Sequence, residues 1–454
     1  MSRPRSTPIR NQHLADHIRS TGLTYDSIAA AINRIGEEEG TRLRCSAASL
    51  AKWLNGVTPH AATIRAGVEA FSRILQRPDL QATDLGWPET PRPDNPWHGD
   101  PIAWIIELGR DVMLDRRTAI TAGAYSLAAA TTPAFPHSLA APVSPSGSAG
   151  QADVARIRQM TALFADLDDR HGGGHARTAI AAYLAHDVAP LLRGTTGTAR
   201  PDLFAAASQL TYLAAWMAAD DGHSGLAQRY YVQAVRFADE AGDPLLRTTA
   251  LRSMAVQAIE LGHHRAGLAL ADAAASSLPD NAPMRHRAWI TGLRAEATAV
   301  ANGDPRHARR LLHQTETYLD RADSRANNAL FGNYQRPSFE HQAGLTLAAV
   351  GDLPAAERHL TASVTTRTTT ENRSRALIGS RLAAIQLRRQ RPDAAAHTVL
   401  TLASDLEVSS TRVHNTLTGI RTSWRPYLSD PNVAAADQLL ATALQPARDG
   451  LRTR

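Results

Sequence analysis

One short stretch of the chain combines residue types that could do chemistry: two aspartates, two histidines, an arginine and three glycines. It reads Asp168-Asp169-Arg170-His171-Gly172-Gly173-Gly174-His175. Carboxylates and imidazoles bind zinc, and glycine-rich loops cradle phosphates. However, the spacing matches no zinc motif, and no predicted strand precedes the glycines, as a phosphate loop requires. We expect a helix-ending turn with polar flanks, and neither a metal nor a cofactor.

A second candidate is a short predicted helix that begins at Ser46, a good N-cap, and ends at Asn55. Gly56 and Pro59 then stop it. Four residues at helical spacing form its inward stripe: Ala47, Leu50, Trp53 and Leu54. The outer face is short, polar and weakly basic, and carries Ser46, Ala48, Ser49, Lys52 and Asn55. Such a face suits the DNA major groove. There, Ser49 could bind a base edge or a phosphate, and Lys52 could bind a phosphate or a guanine.

A helix capped by Thr24 and running through Tyr25 to Ile32 precedes this one. The two helices together predict a helix-turn-helix, although an ordinary amphipathic helix pair fits the same pattern. The connection, residues 36–44, is longer than the usual tight turn. It is either a wing-like loop that carries Arg42 and Arg44 to the DNA backbone or a solvated insertion.

The positive charge of the chain is concentrated around this unit. Residues 1–77 hold eleven Lys/Arg and six Asp/Glu, an excess of five, whereas the whole chain has a net charge of +6. A basic unit of this kind favours binding to phosphate groups. No Ser/His/Asp, Cys/His or paired-carboxylate arrangement stands out, so we do not expect an enzyme.

The single cysteine, Cys45, excludes an intramolecular disulfide and is expected to be a small packing residue. No apolar run follows the basic N-terminus, so we expect no signal peptide, no membrane segment and a cytoplasmic protein. Arg116 and Arg117, with the Ala/Thr-rich stretch after them, mimic a twin-arginine export signal. We interpret that internal stretch as a linker helix.

The sequence predicts an all-α protein with three parts. Residues 1–87 form the helix-turn-helix domain, which also includes predicted helices at 11–19 and at 61–75, the latter with Ile64, Val68, Phe71 and Leu75 inward. Residues 88–150 hold a Pro-rich linker, a short helix and a second, flexible linker. Residues 151–446 form a helical repeat.

The repeat is visible as turn positions 40 to 48 residues apart, at Gly222, Gly262, Gly303, Gly351 and Arg391. Five positions after each turn lies a small residue: Ala227, Gly267, Ala308, Ala356 and Ala396. Nine positions after each turn lies an apolar residue: Tyr231, Ala271, Leu312, Leu360 and Leu400. This pattern is typical of stacked antiparallel helix pairs, and predicts a tetratricopeptide-like α-solenoid with a concave binding surface.

Four aromatic residues cluster in one helix pair: Tyr212, Trp216, Tyr230 and Tyr231. They either line a ligand or partner groove or, as the favoured interpretation, pack in the core.

Several segments together resemble a family of actinobacterial helix-turn-helix regulators with a tetratricopeptide-like C-terminal region, some of which influence sporulation and antibiotic production. The matching segments are residues 48–56, 83–87, 167–175, 216–220 and 225–231, with the Arg116-Arg117 segment as a further shared feature. The resemblance implies transcriptional regulation. It places DNA contacts on Ser46, Ala48, Ser49 and Lys52, and on Thr24 and Tyr25.

Our leading hypothesis is a homodimeric regulator of double-stranded DNA, with repression favoured, whose solenoid binds a peptide, a protein or a small molecule. The alternative is an interaction scaffold that does not bind DNA. The sparse outer face of the second helix, with one charged residue, motivates that alternative.

Overall fold

The computed structural model describes residues 9–39, 41–89, 95–113, 124–131, 150–302, 304–322, 334–408 and 410–444. These residues form helices and no strand, which confirms the all-α class. Several features of the sequence lie outside the described residues: Arg116 and Arg117, Gly303, parts of both predicted linkers and residue 446. Among the described helices, none combines the length and the apolar character needed to cross a membrane.

The N-terminal helices are α1 (Gln12–Thr21), α2 (Tyr25–Glu38), α3 (Ala47–Leu54) and α4 (Ala61–Leu75). They enclose a core of their own, in which Leu14, Ile28 and Ile32 are fully buried. Their boundaries follow from caps: the Asn11 side chain accepts from the Leu14 N–H, and that of Thr24 from the Ser27 N–H. In α4, Ile64 and Phe71 are buried and Val68 and Leu75 half-buried, in agreement with the predicted stripe.

The connection between α2 and α3 is shorter than predicted, because α2 continues through Gly36 to Glu38. The connecting chain folds back on that glycine: the Thr41 N–H donates to the Gly36 carbonyl at 2.7 Å. A Cβ at position 36 would lie 2.7 Å from both the Thr41 carbonyl oxygen and Leu43 Cγ. The connection is therefore packed against α2 through Leu43, while Arg42 and Arg44 point to solvent.

The remaining helices follow in chain order. They are α5 (Pro101–Met113), α6 (Gln151–His171), α7 (Arg177–Tyr183), α8 (Ala189–Gly194), α9 (Arg200–Asp220), α10 (Ser224–Ala241), α11 (Pro244–Glu260), α12 (His264–Ser276), α13 (Met284–Asn302), α14 (Pro305–Asp320), α15 (Arg336–Ala349), α16 (Leu353–Thr366), α17 (Asn372–Arg388), α18 (Pro392–Thr401), α19 (Thr411–Ser423) and α20 (Pro431–Ala443). A π-helical turn, Leu184–Val188, joins α7 to α8.

From α9 to α18 the helices pack as consecutive pairs, and each pair contacts the next. The small residues predicted at the helix crossings, Ala227, Gly267, Ala308, Ala356 and Ala396, are all buried. Small side chains there let the two helices of a pair approach closely. At Gly267, for example, an added Cβ would lie 2.7 Å from Ile259 on the partner helix.

The last pair departs from the predicted register by one residue. Gly222, Gly262 and Gly351 adopt the left-handed conformation at their turns, and at the last turn Gln390 does so instead of Arg391. Counting from Gln390, the apolar position is Val399, which is fully buried, whereas the predicted Leu400 is 37% exposed. The sequence pattern misses the shift because the residue with the positive φ is not a glycine.

Helices from distant parts of the chain contact one another. Helix α6 contacts both α9 at the start of the paired helices and α17 near their end. Side chains on α17 bond α6 and α11, and the Ser410 hydroxyl just before α19 donates to Asp220 on α9.

The crowding at Gly36 gives a test of the α2–α3 connection. We expect Gly36→Ala to destabilise the N-terminal unit by about 1–3 kcal/mol, because overpacking outweighs the better helix propensity of alanine. Amide hydrogen exchange across residues 25–54 of the full-length variant should rise accordingly.

Gly419 on α19 provides the matched control, since a Cβ there meets no atom within 4 Å. Gly419→Ala should slow exchange in α19 by stabilising the helix by about 0.5–1 kcal/mol. Equal effects of the two substitutions would contradict a special role for Gly36.

Candidate functional site

Helix α3 is held at both ends by hydrogen bonds to the main chain. At its C-terminal end, the N–H groups of Arg10 and Asn11 donate to the Leu54 carbonyl at 2.9 and 3.0 Å. Before its N-terminal end, the Asn33 amide on α2 bonds Cys45 in both directions, donating to its carbonyl at 2.9 Å and accepting from its N–H at 2.8 Å. These contacts fix the direction of α3 relative to α1 and α2.

The inner face of α3 is anchored in the core. Leu50 is fully buried, and Trp53 and Leu54 are nearly so, while Ala47 is half-buried. Trp53 meets Trp87 edge-on, with ring centroids 5.7 Å apart. Trp87 itself lies so close to Gly67 on α4 that a Cβ there would be 2.7 Å from its ring. The segment that closes the domain therefore also supports α3.

The residues predicted to contact DNA lie on the accessible side of this unit. Seven of them are exposed, namely Thr24, Tyr25, Arg42, Arg44, Ser46, Ala48 and Lys52. Ser49 is half-buried, and its hydroxyl accepts from the Ser46 N–H at 3.2 Å. This bond caps the helix and leaves Ser49 less free to read a base than the sequence suggested.

The cations near α3 have no counter-ion in the described part of the chain. Arg42, Arg44 and Lys52 make no ion pair there, whereas Arg19 pairs with Asp16 and Arg77 pairs with Asp79. Unpaired surface cations keep their full charge available for a phosphate.

Sequence reasoning missed two residues of this site. Arg10 is exposed and unpaired among the described residues, and lies at the C-terminal end of α3, where a Cβ on Gly56 would be 3.4 Å from its side chain. Asn33 positions α3 through Cys45. The one available signal was weak: Arg10 belongs to the basic N-terminal stretch, which has no periodicity.

Cys45 is half-buried, and burial raises the pKa of its thiol. A raised pKa keeps the thiol protonated and unreactive at neutral pH, as expected for a packing residue.

The Asp/His/Gly stretch at residues 168–175 does not form a free loop. Helix α6 continues through His171, and the chain then turns at Gly172. Gly173 packs directly on α9, where a Cβ would lie 2.5 Å from the Met217 carbonyl oxygen, and its N–H donates to Asp220 at 3.2 Å. No group of three or more metal-ligating side chains converges within the described residues.

The two aspartates of this stretch face Arg373 on α17. The Arg373 guanidinium lies 3.4 Å from the Asp168 carboxylate and 3.1 Å from that of Asp169. Asp168 is buried, and burial raises its pKa to about 6, although Arg373 opposes the shift. One oxygen of Asp168 and the Arg373 Nε have no hydrogen-bond partner in the described part of the chain.

A second arginine completes what we call the closing cluster: Asp168, Asp169, Trp216, Glu260, Arg373 and Arg412. The guanidinium carbons of Arg373 and Arg412 lie 5.4 and 4.9 Å from the centroid of the Trp216 ring. Arg412 also bonds Glu260 on α11, to which Arg381 on α17 donates at 2.7 Å. The cluster joins helices that are far apart in the chain.

Of the four aromatic residues predicted as partner-binding candidates, Trp216 alone is half-buried at this cluster. Tyr230 and Tyr231 are each 1% exposed, and Tyr212 is 8% exposed. Tyr212 packs edge-on against Tyr231, and its hydroxyl bonds Ser253 at 2.9 Å. The three tyrosines are core residues in this structure, so their side chains cannot contact a ligand without a rearrangement.

Comparison with known proteins gives one match. A family model described as the SP15 N-terminal domain matches residues 14–88. No curated protein and no solved structure matches the chain. The matched range coincides with α1 to α4 and the segment that closes their core.

The closing cluster can be tested by removing its central cation. Arg373→Met in the full chain should lower the free energy of unfolding by about 3–5 kcal/mol, because the buried Asp168 carboxylate loses its partner. Urea denaturation followed by circular dichroism measures this change.

Adding Asp168→Asn to the Arg373→Met variant should restore part of the loss, since it removes an uncompensated buried charge. Arg170→Ala is the control: Arg170 pairs with Asp166 on the surface, and an exposed pair contributes less than about 1 kcal/mol. A loss from Arg373→Met no larger than that of the control would rule out a closing role.

Proposed function

We propose that this protein is a homodimeric, DNA-binding transcriptional regulator of the helix-turn-helix type, acting as a repressor. In this proposal α3 enters the major groove, and the helical repeat takes a peptide, protein or small-molecule ligand. The family resemblance of the sequence supports this reading, since the relatives combine a helix-turn-helix with a tetratricopeptide-like region.

One observation carries the proposal: the unpaired cations lie around the accessible side of a helix that is otherwise fixed. Lys52 projects from α3 itself, Arg42 and Arg44 precede it, and Arg10 lies beside its end. The inner face and both ends of α3 are held by packing and hydrogen bonds. A rigid helix with free positive charge around it suits docking in a groove between two phosphate backbones.

We infer the dimer from the small size of the N-terminal unit. A single unit of four short helices with one recognition helix presents little surface, and tight specific binding generally needs two such units on two half-sites. The helical repeat supplies the surface for the second copy or for the ligand.

Salt dependence tests the proposed interface. Fluorescence anisotropy of a labelled duplex should show that full-length protein binds DNA with an affinity that falls steeply with salt concentration. Lys52→Ala and Arg42→Ala should each weaken binding. Each should also make the slope of log affinity against log salt concentration shallower, by about the amount that corresponds to the loss of one phosphate contact.

Arg19→Ala is the matched control, because it removes the same charge from an exposed position on α1 that is already paired with Asp16. For this variant, the slope of log affinity against log salt concentration should stay at the wild-type value. If all three variants behaved alike, the assigned face would be wrong, and the absence of any salt-dependent association would reject DNA binding altogether.

A scaffold function is the second candidate, and the chemistry of the outer face favours it. Ala48 offers no hydrogen bond, and the Ser49 hydroxyl is engaged in capping. A face this poor in base-reading groups also suits a protein partner. Capture of a partner by the helical repeat, together with no salt-dependent binding to duplex DNA, would support the scaffold.

A further inference from the structure

A short segment of the chain lies between the N-terminal unit and the helical repeat. This segment, residues 124–131, is called the strap here. It has no regular structure before a single 3-10 turn at Ala128–Ala130. Tyr125 is 2% exposed and Leu127 is 1% exposed, although neither belongs to a helix. The surrounding helices thus bury these two side chains as completely as core residues.

Side chains of α4 and α10 form hydrogen bonds with the main chain of the strap. The Gln228 amide on α10 accepts from the Ser126 N–H at 2.8 Å and donates to the Ser126 carbonyl at 2.7 Å. From α4, Glu69 accepts from the Leu127 N–H at 2.9 Å, and Arg73 donates to the Tyr125 carbonyl. Main-chain bonds combined with pockets for particular side chains are how proteins bind extended peptides.

The pocket for Tyr125 is aromatic and cationic. Its ring stacks on His263, at the turn between α11 and α12, with centroids 5.2 Å apart and planes 8° from parallel. The Arg73 guanidinium carbon lies 5.9 Å from the same ring. The Tyr125 hydroxyl is buried and has no hydrogen-bond partner among the described residues. An unsatisfied buried hydroxyl is costly, which weakens the hold of the pocket on its present occupant.

The strap also bridges two cores. Ala124 packs against the core of α1 to α4, while Tyr125 and Ala130 belong to the core that includes α9 and α10. Glu69 and Arg73 lie on the N-terminal unit, and Gln228 and His263 lie on the repeat. Whatever occupies this groove therefore touches both parts of the protein.

We propose that the groove formed by Glu69, Arg73, Gln228 and His263 is a peptide-binding site that the chain's own strap occupies. The matching ligand is a peptide with an aromatic residue two positions before a leucine, which enters a 3-10 turn at that leucine as the strap does. Such a peptide displaces the strap and releases the N-terminal unit from the repeat. The consequence for DNA binding rests on the proposed function, whereas the peptide site does not.

The first test measures binding of a fluorescein-labelled peptide with the sequence of residues 124–131 to the full-length chain. The wild-type protein should bind it weakly, because its own strap competes within the same molecule. Tyr125→Ala and, separately, Leu127→Ala weaken the internal competitor and should each tighten peptide binding about tenfold or more. Either variant suffices if the other fails to fold.

Gln228→Ala, added to the strap variant, should abolish this binding by removing both hydrogen bonds to Ser126. The matched control is Gln233→Ala, which removes another buried glutamine of α10 that donates to the Pro96 carbonyl at 2.9 Å. Equal peptide binding by wild-type and strap variants, or equal losses from Gln228→Ala and Gln233→Ala, would overturn the proposal.

A second measurement separates this proposal from the proposed function. Saturating peptide should increase the radius of gyration of the wild-type protein in small-angle scattering, whether or not the protein binds DNA. If the protein bound the peptide and expanded but did not bind DNA, only the proposed function would be wrong. If the protein bound DNA but did not bind the peptide, only the proposed peptide site would be wrong.

Discussion

The packing of α17 and α19 against the earlier helices depends on two arginines, Arg373 and Arg412, whose guanidinium groups both lie against the Trp216 ring. They join α17 and α19 to α6, α9 and α11, which lie far from them in the chain. Bringing together groups about two hundred residues apart costs chain entropy. Charged groups deep in the interior add a desolvation cost, which several carboxylates must offset together.

The ion pairs of the closing cluster limit what an external ligand can bind there. At the face where they lie, Arg373 and Arg412 already bind the protein's own carboxylates, Asp169 and Glu260 among them. An external ligand at that face would have to replace internal ion pairs. The groove under the strap differs, since its contacts to the occupant are mostly to main-chain atoms. That difference is why we place a peptide there and not in the closing cluster.

Local features of this fold were predictable from the sequence, and contacts distant in sequence were not. Helix α4 begins and ends at the predicted residues, and the small residues at the helix crossings are buried, because both depend on short-range periodicity. The partnership of Asp169 with Arg373 was not predictable, because no local pattern connects residues so far apart. The register shift at Gln390 and the buried strap were missed for different reasons. A non-glycine took a glycine conformation at Gln390. The Ala/Thr-rich composition up to Ala130 predicted a linker helix, which is wrong for residues 124–127, because these are not helical.

The way α3 is fastened has a consequence for how this protein could change over generations. Its position is set by Asn33, by the Leu54 carbonyl and by tryptophan packing, none of which involves Ala48 or Lys52 on the outer face. Substitutions at those two positions therefore carry little penalty in folding. The outer face can acquire new chemistry while the scaffold beneath it stays constant, so the surface of α3 can diverge between descendants of one ancestor without passing through unfolded intermediates.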